Sequence, residues 1–283
     1  MHAIPGDPLG ELVGRLPQSV QESYYAKYGL DKPVYQQYFI YIQNLFLRGD
    51  FGESIVYPGR SVNSIIARGA PISARIGIQG LAIGISLGIT LGIIAAYKRG
   101  KWMDYFVMFV ALFSISIPSF VFAAVLQYFL TVRYQIFPVT GWGTFAHTVL
   151  PAMAFGLRNI GVKARFMRST WLDVMGQDYV LAAEATGMSK FDVTFKVILR
   201  NALTPLVTII IPELAFIFVG TFVLETIFSI PGLGTYFIAA VSARDYPMII
   251  GQTIFISTLY VTSMLVLDFV YVLIDPRVRL IKK

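Results

Sequence analysis

Residues 76–97 read IGIQGLAIGISLGITLGIIAAY, an uncharged run closed by Arg75 on one side and Lys98 on the other. A helix of about 20 apolar residues is long enough to cross a bilayer, so this run decides the class of the chain. Four further stretches follow the same rule. Residues 105–132 lie between Asp104 and Arg133 without a charge. In 134–157, Pro138 and Gly141-Trp142-Gly143 interrupt the run, and the helix is expected to start near His147 and continue past Arg158. Residues 203–224 hold one charge, Glu213, and residues 246–274 hold one, Asp268. Five spans are therefore visible, with Pro118 and Pro212 as kinks that neighbouring helices can accommodate.

Composition agrees. Of 283 residues 56% are apolar and 14% charged, against about 45–50% and about 25% in soluble domains. Mean hydropathy is +0.66. There is no Cys, which excludes disulfides and thiolate metal sites. The net charge of +7 is gathered in short blocks beside the apolar runs, a topology signal rather than a nucleic-acid face.

Lys/Arg asymmetry sets the orientation. The connection 98–104 carries Lys98, Arg99 and Lys101; the connection 158–200 carries Arg158, Lys163, Arg165, Arg168, Lys190, Lys196 and Arg200; the tail carries Arg277, Arg279, Lys282 and Lys283. Between them, 133–146 has only Arg133 and 225–245 only Arg244. The rich connections are expected in the cytoplasm, with the C-terminal tail 275–283 inside and residues 1–74 outside. Residues 1–74 carry six Lys/Arg and six Asp/Glu, without a signal-peptide pattern. Such a segment does not cross a membrane unaided, so a sixth span is expected ahead of residue 1. The pattern predicts order in this segment: a helix opening at Asp31-Lys32-Pro33 and a turn at Gly49-Asp50-Phe51-Gly52. Neither an internal repeat nor a low-complexity tract is apparent.

Catalytic chemistry is hard to find. There is no Gly-x-x-x-x-Gly-Lys-Ser/Thr loop for ATP, and Gly232-Leu233-Gly234 after Pro231 reads as a turn. The two histidines, His2 and His147, have no paired spacing for a metal. No Gly-x-Ser-x-Gly or His-Glu-x-x-His pattern is present. No catalytic and no metal-binding residue is assigned. Two acids inside spans remain, Glu213 and Asp268. An intramembrane ionisable group is a functional candidate by default: each acid serves a translocation pathway or a proton relay, or simply bonds a neighbouring helix, and for Asp268 pairing with a tail Arg is the simpler reading.

Residues 178–205 read DYVLAAEATGMSKFDVTFKVILRNALTP. Asp178 is placed to cap a short helix, Gly187 to end it, and Ser189 with Asp192 to open a second helix as a capping box. Phe191, Phe195, Ile198 and Ala202 then share a face. A helix of small residues that docks on a partner and a solvated loop lying on its own bundle both fit this pattern.

The same stretch resembles the cytoplasmic signature of permease subunits of binding-protein-dependent ABC importers. Aligned on Gly187, Ala182 and Ala183 match its paired alanines, Val197 takes its Ile position and Leu199 its Leu; Leu181 and Arg200 stand where the signature has Glu and Pro. Arg200 to Pro205 is similar to the Arg-Asn-Ala-Leu-x-Pro of the peptide and nickel branch. So are Ile4-Pro5-Gly6-Asp7-Pro8, residues 28–33, residues 49–54, the run Glu225 to Gly234, Arg244-Asp245-Tyr246-Pro247, and Asp275-Pro276-Arg277-Val278-Arg279. On these motifs the chain resembles a B-type permease of the oligopeptide/dipeptide branch, a branch whose members usually begin with a span ending at the Ile-Pro-Gly-Asp-Pro motif.

The resemblance implies an all-α polytopic transmembrane bundle of the type I ABC importer permease fold, in the cell membrane of a bacterium or archaeon. Residues 75–274 would form the permease domain, with 158–200 as its cytoplasmic coupling loop. It implies a second, C-type permease subunit, two cytosolic ATPase subunits that bind ATP and Mg, and an extracytoplasmic peptide-binding protein. It implies no cofactor on this chain. Coupling would fall to Ala182, Ala183, Glu184, Ala185, Gly187, Ser189 and Asp192: the alanines permit close approach, Glu184 meets a basic groove residue and Gly187 makes the turn. Two alternatives stand beside this reading: a nickel or other small-solute permease of the same branch, and an ion-coupled secondary transporter using Glu213 and Asp268.

Overall fold

The computed structural model describes residues 32–274 continuously, together with Gly14, Pro17 to Ser19, Gln21, Glu22, Tyr25 and Gly29. The described residues form an all-helical bundle. In chain order the helices are α1 (Val34–Arg48), α2 (Val62–Tyr97), α3 (Trp102–Ser116), α4 (Ser119–Gln127), α5 (Ala146–Met175), α6 (Asp178–Ala185), α7 (Lys190–Asp192), α8 (Leu199–Gly220), α9 (Phe222–Ile227), α10 (Leu233–Ser242) and α11 (Tyr246–Ile274). A π-helical turn, Tyr128–Arg133, extends α4, and another, Val193–Ile198, joins α7 to α8.

Among the described residues, three helical stretches are long and apolar enough to cross a membrane: α2, the run Lys190–Ile227 and α11; α3 with the extended α4 passes as a pair. That pair departs from the expected kinked span, because it turns by 97°. The cause is local. Pro118 pushes the residue before it out of the helical region, and Ile117 sits at φ −83°, ψ 123°. Pro205 and Pro212 by contrast lie within an unbroken α8. The third expected span, α5, starts where anticipated and continues to Met175. It is too polar to count as a span by composition, and two of its charges, Lys163 and Arg168, are paired inside the bundle.

Helix α5 is the axis of the fold. It packs most extensively on α2, and also on α3, α4 and α8. The α2–α5 contact depends on a four-residue glycine period absent from the reading of the sequence as free of repeats: Gly80, Gly84, Gly88 and Gly92. A Cβ on Gly80 would lie 2.7 Å from the Ala152 carbonyl oxygen; on Gly88, 2.6 Å from Lys163 Cβ; on Gly92, 2.6 Å from the Ala164 carbonyl oxygen; on Gly84 it would run into Asn159 Cβ. Gly156 returns the fit, with Gly80 oxygen 2.9 Å from its own virtual Cβ. Small residues at this spacing let two backbones meet, which is how apolar helices associate where lipid tails are as apolar as any side chain.

The segment before α2 is ordered as expected where described. Pro33 precedes α1, Gly49 closes it in the left-handed region at φ 62°, and the Gly52 N–H donates to Asp50 Oδ1 at 2.8 Å. Ser61 caps α2 by accepting from the Ser64 N–H. The expected start at Asp31 lies outside the described residues, as do Ile4 to Pro8 and the tail 275–283. Helix α2 itself begins at Val62, well before the uncharged run, and at 1.5 Å per residue it is roughly 54 Å long, longer than a hydrocarbon core.

If the glycine ladder sets the α2–α5 distance, Gly84→Ala alone should destabilise the purified protein by about 1–3 kcal/mol, the usual cost of overpacking. Gly176→Ala, whose virtual Cβ meets nothing nearer than 3.7 Å, should leave the melting temperature unchanged. Equal melting temperatures for the two variants in detergent would contradict the ladder.

Candidate functional site

Two places in this bundle gather polar or exposed groups without a purely structural explanation. The first lies where α5 faces α8. Lys163 is completely buried, and its ammonium forms an ion pair with Glu213. It also donates to Asn159 Oδ1 at 2.9 Å. The Asn159 amide in turn donates to the Phe155 carbonyl oxygen at 3.2 Å. Asn159 and Lys163 are one turn apart on α5, on the face that meets Gly84 and Gly88. The ladder thus admits the stem of the one lysine that neutralises Glu213. Sequence reading missed this pair, because Lys163 was counted as a charge of the cytoplasmic connection 158–200. In the structure α5 remains helical through that region. The usable signal was the company Lys163 keeps: Gly161, Val162 and Ala164 are residues of a packed helix face.

A cavity of about 380 Å³ opens beside the pair. Arg158, Asn159, Glu213 and Ser119 supply its polar wall; Leu81, Phe155, Val162 and Phe216 supply the apolar one. Asp268, the other candidate acid, is exposed on α11 and is not on this wall. The two acids are therefore not brought together. The tail arginines expected beside Asp268 lie outside the described residues.

Arg168 is the second connection charge found inside the bundle. Its guanidinium holds Asp104 with both nitrogens, Nε to Oδ1 at 2.5 Å and the second nitrogen to Oδ2 at 2.7 Å. Asp104 also accepts from the Gly100 N–H at 3.0 Å, so α3 is pinned to α5 at its first turn. Two more acids unremarked in the sequence as site residues are fully buried. Glu225 accepts from Thr221 Oγ1 and from the Gly234 N–H, each at 2.7 Å. The amide of the Gly232-Leu233-Gly234 turn is thus taken by the chain's own carboxylate. Asp245 accepts from the Ser54 hydroxyl and the Val56 N–H and caps α11 at the Met248 N–H, tying the segment before α2 to the bundle.

The second place is the helix–turn–helix at 178–198. Asp178 sits in the first turn of α6 rather than at its cap, which is Gln177. The end of α6 follows expectation. Gly187 has φ 81°, its N–H donates to the Glu184 carbonyl, and the Met188 N–H to the Ala183 carbonyl, the two bonds of a Schellman closure. Ser189 Oγ accepts from the Asp192 N–H at 3.1 Å, as a capping box requires, and Asp192 pairs with Lys196 at 2.6 Å.

The expected single face of Phe191, Phe195, Ile198 and Ala202 is divided. The π turn shifts the phase, so Val193, Ile198, Ala202 and Leu206 enter the core with Met167, Trp171 and Val180. Phe191 and Phe195 stay outside, their rings 4.4 Å apart. Ala182, Glu184, Ala185 and Gly187 are all exposed, and Ala183 is half-buried. Leu181 and Phe191 are 61% and 68% exposed, an apolar rim around a helix of small residues.

A multi-pass helical membrane bundle with an exposed short helix between two of its long helices is the architecture of a transport permease. Residues 88–280 match the family described as the inner membrane component of binding-protein-dependent transport systems, and the chain belongs to that family. Over 283 residues it is 40% identical to the dipeptide transport system permease protein DppB of Bacillus subtilis (strain 168), covering all of this chain and 91% of that protein. It is 34% identical to the oligopeptide transport system permease protein OppB of Salmonella typhimurium, over 99% of this chain and 91% of that protein. Among solved structures, the inward-facing MetNI methionine ABC transporter superposes with a TM-score of 0.59 at 17% identity, over 75% of this chain and 96% of that chain. That likeness is one of fold. The chain is thus a transmembrane permease of an ABC importer, a class that works with ATPase and substrate-binding partners.

Removing one member of the intramembrane pair should cost unequal amounts. Glu213→Leu strands a fully buried ammonium and should cost about 3–5 kcal/mol. Lys163→Met leaves a carboxylate that is 28% exposed and should cost clearly less. The double variant should recover most of the stability lost in Glu213→Leu. Thermal melts of the three purified variants check the order; equal losses would contradict it.

Proposed function

We propose that this chain forms half of the pathway of an importer for dipeptides or oligopeptides. It pairs with a second permease subunit and two cytosolic ATPases, and an extracytoplasmic binding protein delivers the substrate. ATP and Mg belong to the ATPases, since this chain carries no P-loop. It sits in the cell membrane with its C-terminus in the cytoplasm. The peptide substrate is supported by the names of the relatives, which are dipeptide and oligopeptide permeases.

The observation that carries the coupling role is the exposure of α6. Its outward face is Ala182, Glu184 and Ala185, and its inner face is anchored by Val180 in a core shared with α5 and α8. Small side chains let a helix enter a groove closely, and Glu184 suits a basic groove residue. A push on α6 passes to two long helices as a rigid-body movement. Ala183, Gly187, Ser189 and Asp192 serve the same role indirectly: the Schellman turn and the capping box hold α6 at a set angle.

Two substitutions test this in proteoliposomes containing the assembled importer. Ala182→Trp adds bulk on an exposed face and should leave insertion and melting unchanged while lowering ATP-driven dipeptide uptake at least about tenfold. Gly187→Pro removes an N–H donor and forbids a positive φ; it should insert normally and separate ATP hydrolysis from uptake. Normal uptake by Ala182→Trp would refute docking through α6. Uptake that persists without ATP and collapses with an ion gradient would refute the importer reading itself.

A further inference from the structure

We infer that the cavity between α5 and α8 binds the carboxylate of a transported solute through Arg158, with an apolar group of the same solute against Phe155 and Phe216. The inference rests on the reading of this chain as half of a translocation pathway. The argument begins with charge. Glu213 faces the cavity, but its negative charge is already matched by Lys163. Lys163 is completely buried and its Asn159 contact is in place, so it has nothing to offer a ligand. Arg158 remains. It is exposed, lies on the cavity wall, and has no carboxylate partner among the described residues. With Glu213 matched by Lys163 behind the wall, Arg158 leaves the cavity with one net positive charge, on a helix that packs against α2, α3, α4 and α8.

An arginine on the wall of a cavity within a transmembrane bundle, with no carboxylate beside it, is a candidate for binding. Its guanidinium presents a planar fork that matches a carboxylate bidentately. Near it stand two aromatic rings and Leu81, the mix of few polar groups and apolar lining that characterises small-molecule sites. A cation is disfavoured, because the only acid on the wall is already paired. A neutral solute would leave the arginine unmatched. The class that fits is a small acid with an apolar flank, of which a peptide C-terminus is one case and an acidic side chain another. The volume suits one or two residues rather than a long chain.

The test uses the assembled importer in detergent without its binding protein. The probes are N-acetylphenylalanine and its C-terminal amide, titrated by calorimetry. The acid should bind at least about tenfold more tightly than the amide, as a charge-assisted bidentate contact provides. Arg158→Gln should abolish the difference by weakening the acid to the level of the amide, and Arg158→Lys should keep part of it. Size-exclusion chromatography of both variants shows whether they assemble; if Arg158→Gln does not, the graded loss in Arg158→Lys decides. Equal binding of acid and amide by the wild-type importer overturns the inference, as does a preference that survives in Arg158→Gln. If acid and amide bind alike while dipeptides are still imported, the inference fails and the peptide reading stands. If the acid is preferred but no peptide is imported with the binding protein present, the reverse holds. A preference for N-acetylglutamate amide over N-acetylphenylalanine would assign the site to acidic side chains.

Discussion

The close approach of α2 and α5 is the constraint on which the rest of the bundle depends. Four glycines in register on α2 let its backbone lie against Ala152, Asn159, Lys163 and Ala164. The distance is set by the α2 backbone meeting carbonyl oxygens and Cβ atoms of α5, with no room for a side chain on these glycines. In lipid there is little hydrophobic gain from burying one apolar helix against another, and close packing supplies the attraction instead. Helices α3, α4 and α8 then take their positions around α5.

That packing also explains how so polar a helix as α5 remains inside the bundle. Two of its charges are settled in pairs formed across helices, Lys163 with Glu213 on α8 and Arg168 with Asp104 on α3, and Arg158, Arg165 and Asp173 are exposed. A buried pair of this kind is a weak source of net stability. Its consequence is registration. Each pair is satisfied only when α5 stands at one height and one rotation relative to its partner. Arg158, left outside these pairs, is the basic residue that reaches the cavity wall.

The helix–turn–helix at 178–198 has the opposite character. It is stiff within itself through the Schellman closure and the Ser189 cap, anchored by Val180, and otherwise uncovered. A rigid element tied at its base and free on its outer face transmits force rather than absorbing it. Glu225 and Asp245 do similar positioning work elsewhere in the bundle. Each takes the free amides of a helix start, and so each holds a loop against the bundle without a cation.

Much of this architecture was legible from local pattern. Uncharged runs located the spans, since a bilayer imposes a length and a polarity on any helix that crosses it. The turn at Gly187 and the cap at Ser189 could be read because both depend on residues only a few positions apart. The glycine period was equally present in the sequence and was passed over, its meaning lying in a partner helix some seventy residues away. Tertiary structure alone decided the rest. It broke the second apolar run at Pro118, where local strain had several possible resolutions. It moved Lys163 and Arg168 from an apparent loop into ion pairs, because a charge's partner is fixed by which helix faces it. It divided the expected face, leaving Phe191 and Phe195 outside while Ile198 and Ala202 enter the core, because the π turn at Val193–Ile198 shifts the phase between them.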